Sequence, residues 1–163
     1  MADEDIRPGE IAVPLPAVTD VAVYFIGKIR TPWATRSDCP HSGDAAQGPE
    51  CTLVIDSRWR EALSGVEAPA ELQVLYWMHQ SRRDLVVQAP RHYGEPRGTF
   101  ALRSPVRPNP IAASVVKLVA TDGPRLSVVG LDCLDGTPLL DLKPYFASTD
   151  AAPDAVVGWH ARR

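Results

Sequence analysis

The chain has 163 residues, enough for one domain with a core that folds alone. Hydrophobic residues make up 45% and charged residues 23%, both ordinary for a globular protein. Sixteen prolines argue against long helices, and a net charge of −3 does not favour non-specific nucleic-acid binding, although it leaves room for a local basic patch.

No run is long or apolar enough to span a bilayer, and the acidic start Met-Ala-Asp-Glu-Asp is unlike a signal peptide, so a cytoplasmic location is expected. Three cysteines, an odd number, fit reduced thiols better than a disulfide framework.

Residues 1–20 mix acids, prolines and small residues and read as an extended or disordered lead-in. Val21–Arg30 is the first expected strand. Thr31–Pro49 carries Pro, Ser, Gly and Asp with no apolar period and reads as a long loop; loops of that length in compact domains are usually functional or disordered. Cys51–Asp56 is a second strand. Ser57–Val66 reads as a short helix, with Ser57 as N-cap and Gly65 as stop. Glu71–His79 and Asp84–Gln88 are further strands, and Arg91–Arg97 a polar loop. Thr99–Ser104 and Ile111–Ala120 are strands flanking an Arg-Pro-Asn-Pro turn. Two Asp-Gly pairs, at 122–123 and 135–136, signal hairpins. They predict a three-strand meander of Ile111–Ala120, Arg125–Leu134 and Thr137–Lys143. Residues 147–163 read as a polar tail. Many short strands, one short helix and no βα alternation predict an all-β fold with minor α content, a barrel or sandwich.

The segment from Phe100 to Ile111 is the stiffest in the chain. Proline fixes its own φ and restricts the residue before it, so Pro105, Pro108 and Pro110 hold Arg103, Arg107 and Asn109 in a nearly fixed geometry. In the expected strand, Phe100 and Leu102 face the core and Arg103 projects from the opposite face. Arg103 or Arg107 can grip a carboxylate or phosphate in a bidentate pair; each also fits as a surface arginine paired with a local acid. His79-Gln80, at the end of an apolar strand, fits either a site rim or a solvated turn. Arg82 and Arg83 follow directly, and with Arg91 and Arg97 they could form a basic surface. Asp135 is explained by its turn; Asp132 is not, and a carboxylate there could bind hydroxyls. Cys39, His41 and Cys51 match no metal-ligand spacing, so no metal is expected. The chain has no glycine-rich phosphate loop and no nucleophile elbow.

Four blocks together resemble the TrmO, or TsaA-like, family of S-adenosylmethionine-dependent tRNA methyltransferases. They are Ile26-Gly27-Lys28-Ile29-Arg30-Thr31-Pro32, Met78-His79-Gln80, the Phe100–Ile111 segment and Leu131–Tyr145. The resemblance covers roughly residues 22–146. It implies a small antiparallel β-barrel domain over 21–146 with long loops, forming a homodimer. It implies methylation of N6 of threonylcarbamoyl-adenosine beside the anticodon of tRNA; the same fold acting on another acceptor, or a non-catalytic cofactor-binding module, are the alternatives. The implied contacts with S-adenosyl-L-methionine are Pro40, His41, Ser42, His79, Gln80, Arg103, Ala113, Asp132, Cys133 and Leu134, with Arg107 and Asn109 shaping the site. His41, His79 and Asp132 are the candidate proton acceptors, with His79 and Asp132 carried forward as catalytic. Two departures stand out: His41-Ser42 where many members carry Arg-Gln, and Ala112 where many carry glycine.

Overall fold

The computed structural model describes residues 6–91 and 93–160. His92, in the expected polar loop, lies outside them, as do the first five residues and the last three.

Two short strands come first, Ile11–Ala12 (β1) and Gly27–Arg30 (β2). Glu50–Ile55 (β3) and Ala70–Trp77 (β4) follow. Both bury every second residue: Cys51, Leu53 and Ile55 in β3, Leu72, Val74 and Tyr76 in β4. That period of two is the signature of a strand with one face on a core. Leu85–Gln88 (β5), Arg97–Gly98 (β6), Ile111–Asp122 (β7), Arg125–Val129 (β8) and Pro138–Pro144 (β9) complete the strands, and Ala147–Asp150 is a single α-helical turn (α1).

Six strands close into a barrel in the order β2-β3-β8-β7-β4-β9, antiparallel throughout. Closure leaves no free edge in the barrel. Its interior is filled by Ile29, Leu53, Val74, Val116, Leu118, Val128 and Leu139, all fully buried. Each such side chain contributes about 1.5–3 kcal/mol relative to exposure. The small sheet β1-β5-β6 lies outside the barrel order. The all-β expectation with a small barrel therefore holds.

Local expectations fail at four places, each for a physical reason. The meander is only half right. Asp122-Gly123 does join β7 to β8, with Gly123 at φ +55°. Asp135-Gly136 is not a β8–β9 hairpin, because β9 pairs with β4 and β2. The turn is tied to the end of β2 instead. The Asp135 carboxylate accepts from the Thr31 amide and from Arg30, and the Gly136 amide donates to Ile29 O. β9 fills the gap that would otherwise leave β4 and β2 as open edges.

The strand expected over Thr99–Ser104 is absent. Thr99–Ala101 is a 3-10 turn, Phe100 is 82% exposed, and Thr99 and Leu102 are the buried residues of the stretch. The buried Thr99 hydroxyl donates to Leu85 O and accepts from Gln88 Nε2, a local bonding scheme that competes with a strand ladder.

The Ser57–Val66 helix is a 3-10 helix over Ser57–Leu63 whose N-cap is Asp56, not Ser57; Gly65, at φ +85°, follows its end. Of Val21–Arg30 only the last four residues form a strand, and Val21, Val23 and Tyr24 are exposed. In the tail, Trp159 Nε1 donates to Ala101 O at 3.0 Å and its ring lies 4.3 Å from the Arg97 guanidinium. Among the described residues no helix is long and apolar enough to cross a membrane.

Candidate functional site

One end of the barrel opens into a cavity of about 1030 Å³. That is at the upper end of the usual range for small-molecule sites. Five segments build its wall: the loop after β2, the turn after β4, the proline-rich segment, the start of β7, and the crossing from β8 to β9.

The proline-rich wall is rigid for reasons beyond its prolines. Arg107 Nη1 donates to Leu102 O and Ser104 O, both at 3.1 Å, so this guanidinium braces its own turn. Arg83 Nε bonds Pro108 O and Gln88 Nε2 bonds Val106 O, each at 2.6 Å. The Met78 amide donates to Pro110 O, which joins this wall to the turn carrying His79 and Gln80. Arg103 is exposed and donates one bond, from Nη2 to Ala113 O at 3.0 Å. A guanidinium has five donor hydrogens.

The loop after β2 is docked closely. A Cβ on Gly43 would stand 1.8 Å from Gly130 O, so only glycine permits this approach. The Asp44 carboxylate then accepts from the amides of Ala46 and Gln47, at 2.8 and 2.9 Å. Those bonds, Gln47's first, hold its carboxyl below the usual carboxylate range. Cys39, Pro40, His41 and Ser42 thereby line the cavity.

Polar side chains from three elements meet at one point on the cavity wall. Tyr76 OH, from β4, donates to Asp132 Oδ1 at 2.6 Å and bonds the Ser114 hydroxyl of β7 at 2.9 Å. Ser114 itself lies 3.4 Å from the same carboxylate oxygen. Burial, then the Asp132 charge, pushes the Tyr76 phenol far above its ordinary value, so it remains a donor. Burial first and the Asp132 charge second also raise the Cys39 thiol.

The cavity thus gathers Pro40, His41, Ser42, His79, Gln80, Arg103, Ala113, Asp132 and Leu134, together with Arg107 and Asn109. Cys133 departs from the expectation. It does not line the cavity; its side chain is fully buried in the core, and its carbonyl accepts from the Thr31 hydroxyl. Residues adjacent along extended chain face opposite ways, and Asp132 takes the cavity side. Sequence reasoning passed over Tyr76 and Ser114. The available signal was a tyrosine in the buried phase of a strand, whose hydroxyl requires a partner.

The four arginines expected to form a basic surface are largely committed elsewhere. Arg82 forms a double bond pair with Asp84, Arg83 lies over the Trp77 ring, and Arg97 packs on Trp159. Only Arg91 is fully exposed among the four. No group of three or more His, Cys, Asp or Glu side chains is arranged to hold a metal among the described residues.

A closed antiparallel barrel with a rigid, arginine-bearing wall and a carboxylate held beside a ligand-sized cavity defines a small-ligand-binding β-barrel. The chain belongs to the family of the tRNA-methyltransferase O N-terminal domain, whose sequence model matches residues 28–151. It is 54% identical over 139 residues to the probable S-adenosyl-L-methionine-binding protein VirR of Rhizobium radiobacter, covering 85% of this chain and 79% of that one. It is 36% identical over 141 residues to the tRNA (adenine(37)-N6)-methyltransferase of Escherichia coli, covering 80% of this chain and 60% of the enzyme. A crystal structure of TrmO from Pseudomonas aeruginosa superposes with a TM-score of 0.70 at 35% identity, over 85% of this chain and 61% of that one. The chain therefore spans about three fifths of these two longer relatives.

Proposed function

We propose that this protein is an S-adenosyl-L-methionine-dependent methyltransferase whose acceptor is N6 of a modified adenosine, threonylcarbamoyl-adenosine, beside the anticodon of tRNA. The observation that carries the reading is the convergence of Arg103, the His79-Gln80 turn and Asp132 on one cavity in a chain of this family. A cytoplasmic homodimer acting on tRNA completes the proposal.

The donor set fits the cofactor. Arg103 keeps guanidinium hydrogens beyond its one bond to Ala113, and a bidentate pair suits an amino-acid carboxylate. Pro40, His41 and Ser42 close one side of the cavity, Ala113 and Leu134 offer apolar contact, and Gln80 and Asp132 offer hydrogen-bond partners. Arg107 and Asn109 shape the wall. When bound, S-adenosyl-L-methionine supplies a methyl group already activated on a sulfonium.

The protein's task is then positioning and handling a proton. The N6 lone pair is delocalised into the ring and the carbamoyl group, so an acceptor for the N6 proton assists attack. The acceptor would take the N6 proton as the methyl moves to N6, and the sulfonium sulfur would keep the C–S electron pair. Of the two candidate catalytic residues, Asp132 is held by the Tyr76 hydroxyl with Ser114 beside it, whereas His79 sits on an exposed turn; Asp132 is the acceptor in this reading.

Incubation of the purified protein with methyl-labelled S-adenosyl-L-methionine and total tRNA tests the proposal. Label is expected in the tRNA fraction and absent with Asp132→Asn. His41-Ser42 and Ala112 stand at the cavity and favour a second reading, the same chemistry on another acceptor. Label in another RNA or in a small molecule, with none in tRNA, would select it.

A further inference from the structure

Among the described residues, Tyr76 is the one aromatic residue in the buried barrel core, where its neighbours are aliphatic residues and cysteines, and it is 1% exposed. A buried hydroxyl left without a partner costs about 1–3 kcal/mol. A phenylalanine would avoid that cost at nearly the same volume. Packing alone therefore does not account for a tyrosine here. Its hydroxyl is spent on Asp132 Oδ1, 56 residues away, and on Ser114.

The arrangement is asymmetric. Tyr76 and Ser114 both reach Oδ1, so Oδ2 stands outside the pair on a residue that lines the cavity. The groups facing this carboxylate come from several elements. Tyr76 belongs to β4, Ser114 to β7, Cys39 to the loop after β2, and Cys133 is its chain neighbour. Arg36 and His41 from the same loop, His79 after β4, and Arg103 and Arg107 from the rigid wall share the cavity. Both neighbouring thiols are raised by burial and by the Asp132 charge, so they are neutral and do not compete as anions. Tyr76 gives its hydrogen to Oδ1, and the single Ser114 hydrogen goes either to the Tyr76 oxygen at 2.9 Å or to Oδ1 at 3.4 Å, so Tyr76 orients the carboxylate and Ser114 braces the pair.

We propose that Tyr76, braced by Ser114, is a positioning residue that holds the Asp132 carboxylate oriented as the proton acceptor of the methyl transfer. The proposal deepens the functional reading above and rests on it. Tyr76 acts through Asp132 and does not itself touch the substrate.

The test uses the full chain with Tyr76→Phe, Ser114→Ala, Ser114→Thr and Asp132→Asn, each checked for a native thermal transition. With Cζ-labelled tyrosine, the Tyr76 resonance is the one lost in Tyr76→Phe, and it is expected to move in Asp132→Asn and Ser114→Ala. In turnover assays, Tyr76→Phe is expected to lower kcat about tenfold, the size of one hydrogen bond to a charged group. KM for S-adenosyl-L-methionine stays within about twofold, as expected when only a transition-state interaction is lost. Ser114→Thr, which keeps the hydroxyl, restores the kcat that Ser114→Ala lowers. Wild-type kcat in both Tyr76→Phe and Ser114→Ala would overturn the proposal. So would a Tyr76 resonance indifferent to Asp132→Asn. A resonance that moves as expected in a protein with no turnover on any tRNA keeps the hydroxyl clamp and overturns the functional reading instead.

Discussion

Arg103 Nη2 donates to the carbonyl of Ala113 at 3.0 Å, so the proline-rich turn and the first residues of β7 are joined by a side chain at the cavity wall. That bond fixes where the guanidinium points while leaving most of its donors unused.

Replacing Arg103 with alanine is expected to weaken S-adenosyl-L-methionine binding by tenfold or more, the scale of a lost charge-assisted pair. The residue is exposed, so folding stability should change by no more than about 0.5 kcal/mol. Arg103→Lys should recover only part of the affinity, because an ammonium cannot present a planar fork. Calorimetric titration beside a thermal melt separates the two effects.

Gly43→Ala should lift the loop after β2 from the barrel. Its Cβ would overlap Gly130 O, a backbone atom that cannot step aside. Overpacking of this kind costs about 1–3 kcal/mol. The expected result is a lower melting temperature and a smaller stabilisation by added cofactor.

Acid should loosen the same loop. The Asp44 carboxyl is held below its ordinary value by the Gln47 and Ala46 amides. A lowered value in the folded state means the contribution is complete above the unfolded value, near pH 4, and is lost as pH falls through the folded one. Amide-exchange protection of Ala46 and Gln47 should therefore decline below about pH 4 while barrel amides stay protected. In Asp44→Ala the two amides should be unprotected at every pH.

The cysteines should differ sharply in reactivity. Cys51 is buried and its thiol is pushed up to about 11, by burial first and then by the charges of Cys39 and Glu50. Cys133 is buried and raised further by the same leading cause. Both stay protonated and inaccessible at pH 8, whereas Cys39 is partly exposed. Mass spectrometry after alkylation should find one label on the folded chain, at Cys39, and three after unfolding.

The barrel was legible because its strands bury alternate residues and its Asp122-Gly123 turn is chemically explicit. Chain order could not reveal that β9 crosses the barrel end to lie between β4 and β2, since closure is a property of all six strands together. Phe100 and Leu102 share a parity that reads as a strand, yet the Thr99 hydroxyl bonds turn that stretch into a 3-10 element and leave Phe100 in solvent. Most candidate site residues reach one cavity because the family motifs sit at strand ends and in the loops beyond them. Asp132 and Cys133 are neighbours in the segment between β8 and β9, yet only Asp132 lines the cavity, while Cys133 is buried in the core. Tyr76 was hidden inside an apolar run, and its role depends on a partner 56 residues away.

The central claim is methyl transfer to a modified adenosine of tRNA, and mass spectrometry of tRNA nucleosides from cells with and without this protein tests it most directly. The account predicts N6-methylated threonylcarbamoyl-adenosine in the first sample and only its unmethylated form in the second, with the methylated form returning on re-expression of the wild type and failing to return with Asp132→Asn. An equal methylated fraction in the presence and absence of the protein would contradict it.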